Sequence, residues 1–230
     1  MSDKINQQFH YKIIMLGDNN GKKIIFKKLK NGIYNDKNIS TIGIDRITLS
    51  FFFNNYEGNK IQIDAQVWDT AGQERFISIT KGYIKDSQGL LFLVDITEID
   101  SFELIQNWIE IVKSELEDNE FILLFILGIS PFPLEDLEYR KVTKEEIDTY
   151  CKENDIFWCG EFYLRDISKD ELYKQFKLIV DKIYKKLHEN KKNKIIIDNK
   201  NDKTIETINK DDKKVKLINK YKFFYKIFNY

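Results

Sequence analysis

Histidine is almost missing from this 230-residue chain: His10 and His188 are the only two, far apart in sequence, which excludes histidine-based zinc centres and Ser–His–acid triads as organising chemistry. Cysteine is as scarce. Cys151 and Cys159 are too few for a disulfide framework and fit a reducing compartment, where they serve as small core residues. Long apolar runs are lacking too: the longest, residues 121–129, is about half of the ~20 residues that a membrane-spanning helix needs, so a soluble chain is expected. The first ten residues, MSDKINQQFH, hold no apolar stretch, and Ser2 is not the glycine that myristoylation requires; neither a secretory signal nor that lipid is expected. Net charge is absent, with 37 basic residues against 37 acidic ones, so average charge makes no case for a nucleic-acid partner.

What is present, 42% apolar and 32% charged residues, supports one sizeable core with an extension. Charge is unevenly spread. Residues 189–230 hold twelve lysines against six acidic residues, so this stretch is +6 and the preceding 188 residues are −6. The expected division is a domain over 1–188 and a basic, lysine- and asparagine-rich extension over 189–230 that ends in an aromatic segment.

Periodicity within the first part alternates between strand and helix. Residues 11–16 (YKIIML) read as a short buried strand, followed by a glycine and lysine turn and a helical stretch from about Ile24 to Leu29. Ile47, Leu49, Phe51 and Phe53 fall on one face, and Ile61, Ile63, Ala65 and Val67 do so after the break at 54–59, which predicts a paired hairpin. Residues 90–94 and 121–129 are apolar strands separated by a helix with Phe102, Ile105, Ile109, Val112 and Leu116 at helical spacing. Thr143 with Glu146, and Ser168 with Glu171, are capping boxes that open helices to about Asn154 and His188, with a short strand at 156–159 between them. Helices that join apolar strands predict an α/β fold, a mostly parallel sheet with helices on both faces and one antiparallel pair near its edge. Such sheets bind ligands at the carboxyl ends of their strands, here 17–23, 69–74, 128–133 and 159–162.

Residues 68–76 read WDTAGQERF. Together with YKIIMLGD at 11–18, ISTIGID at 39–45 and LFLVDIT at 91–97, and with Ser101, Phe102 and Trp108, they resemble small GTPases of the Ras superfamily, Rab subfamily, over about residues 9–188. The resemblance implies a P-loop G domain with a six-stranded sheet, GTP or GDP as ligand and Mg²⁺ as cofactor. A phosphate loop surrounds nucleotide charge with backbone N–H groups and a lysine at a helix N-terminus. The family pattern has four residues between its glycines, then Lys and Ser or Thr; here the segment is Gly17-Asp18-Asn19-Asn20-Gly21-Lys22-Lys23. Alignment from Thr41 and from Tyr34, the aromatic placed at the base, favours a one-residue deletion with Lys22 at the phosphate and Lys23 in place of the hydroxyl. The ungapped alternative puts Lys23 at the phosphate, Lys22 at the second glycine and Ile24 at the hydroxyl. Either way a direct Mg²⁺ ligand is lost, so weakened metal binding is expected. By the same resemblance Thr41 reaches Mg²⁺ and the terminal phosphate, Asp69 holds Mg²⁺ through water, Gly72 donates to that phosphate, and Gln73 orients the attacking water as the catalytic residue.

Base recognition departs from the family. Where NKxD is expected, residues 129–132 read Ile-Ser-Pro-Phe, and the later SAK is replaced by Gly160-Glu161-Phe162. The missing aspartate accepts two hydrogen bonds from guanine, so its loss costs about 3–6 kcal/mol, on the order of 10² to 10⁴ in affinity. Glu135 and Asp136 lie a few residues downstream and are expected to be solvated; Phe132 is large enough to cover the base pocket. The partner surface implied by the family comprises Ile39, Ser40, Ile42, Gly43, Ile44, Asp45, Arg46, Trp68, Phe76 and Tyr83, with Arg46 standing where an aromatic is usual. Two functional readings follow: a divergent guanine-nucleotide switch in vesicle traffic that hydrolyses GTP slowly, or a pseudo-GTPase that recruits partners without turnover. The expected partners are effector and regulator proteins, with an anionic membrane surface against the tail, no nucleic acid, and a monomeric state. A cytoplasmic protein peripheral on endomembranes is expected, without the usual prenyl anchor because no cysteine follows Cys159.

Overall fold

In the computed structural model, residues 5, 7–32, 44–70, 82, 84–115 and 121–202 are described. The chain divides into two units, Met1–Tyr184 and Lys185–Tyr230, and the first carries the sheet. Its elements run in the order β1 (Gln7–Gly17), α1 (Asn19–Asn31), β2 (Ile44–Asn54), β3 (Lys60–Thr70), β4 (Gly89–Asp95), α2 (Ile99–Glu115), β5 (Leu123–Ser130), α3 (Lys144–Glu153), β6 (Phe157–Tyr163) and α4 (Lys169–Asp202). The six strands form one sheet in the order β2-β3-β1-β4-β5-β6. All neighbouring pairs are parallel except β2 with β3, the antiparallel edge pair that the alternation predicts.

Strands β4 and β5 are buried along nearly their whole length because both faces are covered. On one side Ile14, Leu16, Phe92, Val94 and Ile126 pack with Ile105 and Ile109 of α2 and Ile147 and Cys151 of α3. On the other, Gly89 lies so close to Ile183 of α4 and to Phe125 and Ile13 that an added Cβ would meet Ile183 at 2.9 Å. Both helix starts read as capping boxes are formed as such: Thr143 with Glu146 and Ser168 with Glu171. Cys151 and Cys159 are free, and burial pushes both thiols up to about 12, which removes them as thiolate nucleophiles at neutral pH.

Several element boundaries differ from expectation: β1 starts at Gln7 rather than Tyr11, and β6 runs on to Tyr163, so residues 159–162, expected at a strand end, lie within the strand. The last helix continues past His188 to Asp202. More consequentially, α1 starts at Asn19 rather than near Ile24, so the turn expected over 17–23 is almost absent.

Candidate functional site

The carboxyl end of β1 meets α1 through a single residue. Gly17 has a φ of +96°, and a Cβ there would meet the Leu93 carbonyl at 2.4 Å, so both conformation and proximity to β4 demand glycine. Asp18 is the N-cap of α1. Its amide donates to the Leu93 carbonyl at 3.0 Å, its own carbonyl accepts from Lys22 N–H at 3.0 Å, and its carboxylate accepts from Asn20 N–H at 3.2 Å and Gly21 N–H at 3.4 Å. These amides are the helix N-terminal donors that a phosphate would need. Here an internal carboxylate takes them. Burial raises the Asp18 carboxyl above the usual range, the amide of Gly21 opposes this, Asp95 raises it further, and the amide of Asn20 and nearby Lys22 oppose it again.

Asn19, Asn20, Gly21, Lys22 and Lys23 are therefore helical, which corrects the turn expected at these positions. The physical reason is the cap: an aspartate is a preferred N-cap, and Asp18 opens the helix directly after β1. Gly21 serves packing, since a Cβ there would lie 1.9 Å from Ile129 Cδ1. Lys22 is buried at the base of α1, and Lys23 is half-exposed.

At the end of β3, Asp69 is buried, in register with Met15 on one side and Asp45 on the other. Tyr34, Thr41, Gly72 and Gln73 lie outside the described residues, as do Ile39, Ser40, Ile42, Gly43, Phe76 and Tyr83 of the expected partner surface. The remainder of that surface is formed on β2 and β3. Ile44 pairs with Thr70, Asp45 takes Lys30 at 2.9 Å, and Arg46 stands opposite Trp68 with its guanidinium 5.5 Å from the ring. Lys12 reaches the same indole at 5.3 Å. A cation from each flanking strand thus borders Trp68. Among the described residues, no group of three or more His, Cys, Asp and Glu is placed to hold a metal.

The ends of β5 and β6 complete the region. Ile129 is fully buried against α1, where an asparagine is expected of the family. The Ser130 hydroxyl accepts from Phe132 N–H at 3.0 Å and donates to the Phe132 carbonyl at 2.7 Å. The Phe132 ring stacks on Tyr139 at 4.0 Å and 13°. Glu135 and Asp136 are exposed, as expected. Glu161 is held by Arg140 through two hydrogen bonds, 3.1 and 2.5 Å, with both side chains largely buried. Lys28 of α1 donates to the carbonyls of Arg165 at 3.0 Å and Ile167 at 2.5 Å, fixing the turn after β6. Sequence reading missed Arg140 and Lys28, whose partners lie 21 and 137–139 residues away. It also missed Asp18 as a cap, although Asp-Asn-Asn before an apolar helical stretch is a start signal.

Residues 12–162 match the Ras family model. The chain belongs to the Ras family. Its likeness is to Rab proteins: it is 40% identical over 149 residues to the Ras-related protein Rab-13 of Bos taurus, covering 64% of this chain and 68% of that protein. With Rab-19 of Xenopus laevis it shares 42% over 102 residues, 44% of this chain and 46% of the relative, and with Rab-13 of Rattus norvegicus 34% over 165 residues, 71% and 76%. Ras and Rab proteins generally bind GTP or GDP with Mg²⁺. The described residues of this Rab-like chain depart from the family where guanine is read: Ile129 and Phe132 stand in place of its asparagine and aspartate, and Gly160-Glu161-Phe162 in place of SAK, with Glu161 paired to Arg140.

Proposed function

We propose that this Rab-like protein acts in vesicle traffic as a pseudo-GTPase, a module that recruits partner proteins through its switch surface without nucleotide turnover. The observation that carries this reading is at the end of β5, where the fully buried Ile129, and Phe132 stacked on Tyr139, stand in place of the asparagine and aspartate that read guanine. Loss of the SAK side chains, and Lys23 or, in the ungapped alignment, Ile24 where a metal-binding hydroxyl is usual, support the same reading. Any Mg²⁺ dependence should be slight, because the metal would rest on Thr41, Asp69 and phosphate alone.

A second reading is favoured by one specific observation, the uninterrupted DTAGQ at 69–73: a divergent switch that binds GTP and hydrolyses it slowly with Gln73. Two measurements separate the readings. Denaturing the purified protein and chromatographing the supernatant should release no stoichiometric nucleotide, and calorimetry should give weak binding of GDP with little preference over ADP. Nanomolar GDP binding that strongly discriminates against ADP, lost on chelation by EDTA, would sink the pseudo-GTPase reading and establish the switch.

The tail supports a further part of the proposal, contact with an anionic membrane. Residues 213–230 contain six lysines, six aromatic rings and no acid. Among the described residues no helix is long and apolar enough to cross a membrane.

A further inference from the structure

The loop over 131–141, between β5 and α3, is built for display. Both prolines of the chain, Pro131 and Pro133, flank Phe132 and fix φ on either side of it. The Ser130 hydroxyl grips Phe132 at both its amide and its carbonyl, and the stacked Phe132 and Tyr139 rings close the loop upon itself. Turn bonds from Asp136 N–H to the Pro133 carbonyl (3.1 Å) and from Arg140 N–H to the Leu137 carbonyl (3.3 Å) fill the interior. Arg140 then ties the loop to β6 through Glu161.

A loop held this firmly nonetheless presents apolar side chains to water: Leu137 is 70% exposed, Tyr139 41% and Phe132 38%. Glu135, Asp136 and Glu138 surround them, exposed and without an ion-pair partner among the described residues. Since Arg140 is neutralised by Glu161, three carboxylates face a single exposed lysine, Lys141. Apolar surface on a stiff support loses little conformational freedom when covered, and is the pattern of a recognition anchor.

We propose that the 131–141 loop is a docking surface for a basic segment of a partner protein, which seats an apolar side chain on Leu137, Tyr139 and Phe132 and sets lysine or arginine against Glu135, Asp136 and Glu138. The surface charge selects this occupant. An anionic leaflet or a nucleic acid is repelled by the three carboxylates. A symmetric pairing of two copies through the loop would bring the same carboxylates face to face. The proposal is independent of whether the protein binds nucleotide.

Fluorescence anisotropy with the full chain and a labelled peptide alternating lysine with leucine and tryptophan tests it, beside the same peptide with glutamate for lysine and with serine for the apolar residues. The basic apolar peptide should bind and both controls should not. Leu137→Ser should weaken binding about tenfold or more while leaving its salt dependence unchanged. The triple change Glu135→Gln, Asp136→Asn, Glu138→Gln should weaken it by a similar factor, about tenfold, and flatten the salt dependence. All altered groups are exposed, so the thermal midpoint should not move, and a circular dichroism melt checks this. Absence of binding by the basic peptide, or binding indifferent to both variants, overturns the proposal. So does a dimer in sedimentation velocity that Leu137→Ser dissolves, which would assign the face to a second copy.

Discussion

Single residues at the start of α1 carry the divergence, and each makes a measurable claim. Burial holds the Asp18 carboxyl above its ordinary range in spite of the capping amides. A carboxyl whose folded pKa is raised binds its proton more tightly in the folded state, so its contribution to stability is complete below the unfolded value of about 3.9 and is lost as pH rises through the folded value. Asp18→Asn keeps a capping oxygen and cannot ionise. The stability of this variant relative to the parent should therefore grow from about pH 4 upward, read as the gap between urea midpoints at acidic and neutral pH. A gap that narrows with pH would mean that the amides outweigh burial and that Asp18 is an ordinary cap. The neighbouring Gly21 is governed by sterics. Gly21→Ala would place a Cβ 1.9 Å from Ile129 Cδ1, an overpacking cost of about 1–3 kcal/mol that outweighs the ~1 kcal/mol gain in helix propensity. In an Ile129→Val background that methyl is gone and the next atom lies at 3.4 Å, so the same substitution should become neutral or stabilising. Urea unfolding of the four proteins in this cycle shows whether the sign reverses.

Among the elements, the Arg140–Glu161 pair joins the loop after β5 to β6 across the region where the family reads its base. Both side chains are largely shielded from solvent, so removing one partner strands the other: Arg140→Ala should destabilise by about 3 kcal/mol, whereas replacing both residues with methionine should cost much less than the sum of the single changes. Equal additivity in denaturant unfolding would show that the pair is solvated and energetically idle. Elements of this kind mark the limit of what sequence reveals. The strands were legible because β4 and β5 are continuous apolar runs and because Ile47 to Phe53 and Ile61 to Val67 alternate, a period that burial imposes directly. Thr143 and Ser168 were legible because a capping box is local. The early start of α1 was not, because the phosphate-loop pattern suggested a turn where the Asp18 cap instead opens the helix. Nor was the fate of Phe132, whose partner Tyr139 acts through a loop conformation that no periodicity encodes.

At the scale of the whole molecule, charge is segregated: the first 188 residues are −6 and the last 42 are +6. The lysines concentrate late, with Lys213, Lys214, Lys216, Lys220, Lys222 and Lys226 interleaved with or followed by Tyr221, Phe223, Phe224, Tyr225, Phe228 and Tyr230. Near an anionic leaflet each basic residue contributes about 1 kcal/mol, and aromatic rings favour the headgroup region, so the proposed membrane contact of this segment would be reversible. The acidic remainder opposes it, which makes the attachment dependent on composition and salt rather than indiscriminate. Vesicles containing phosphatidylserine should sediment the full chain at low salt and release it at about 1 M salt, where screening reaches only ~3 Å. Changing the six lysines to glutamine should abolish sedimentation while leaving the melting of the sheet domain unchanged, and vesicles of phosphatidylcholine alone should retain neither protein. Should the glutamine variant sediment as well as the parent, the lysines are solvated bystanders, and the attachment must come from the aromatic rings of the tail or from another surface of the chain.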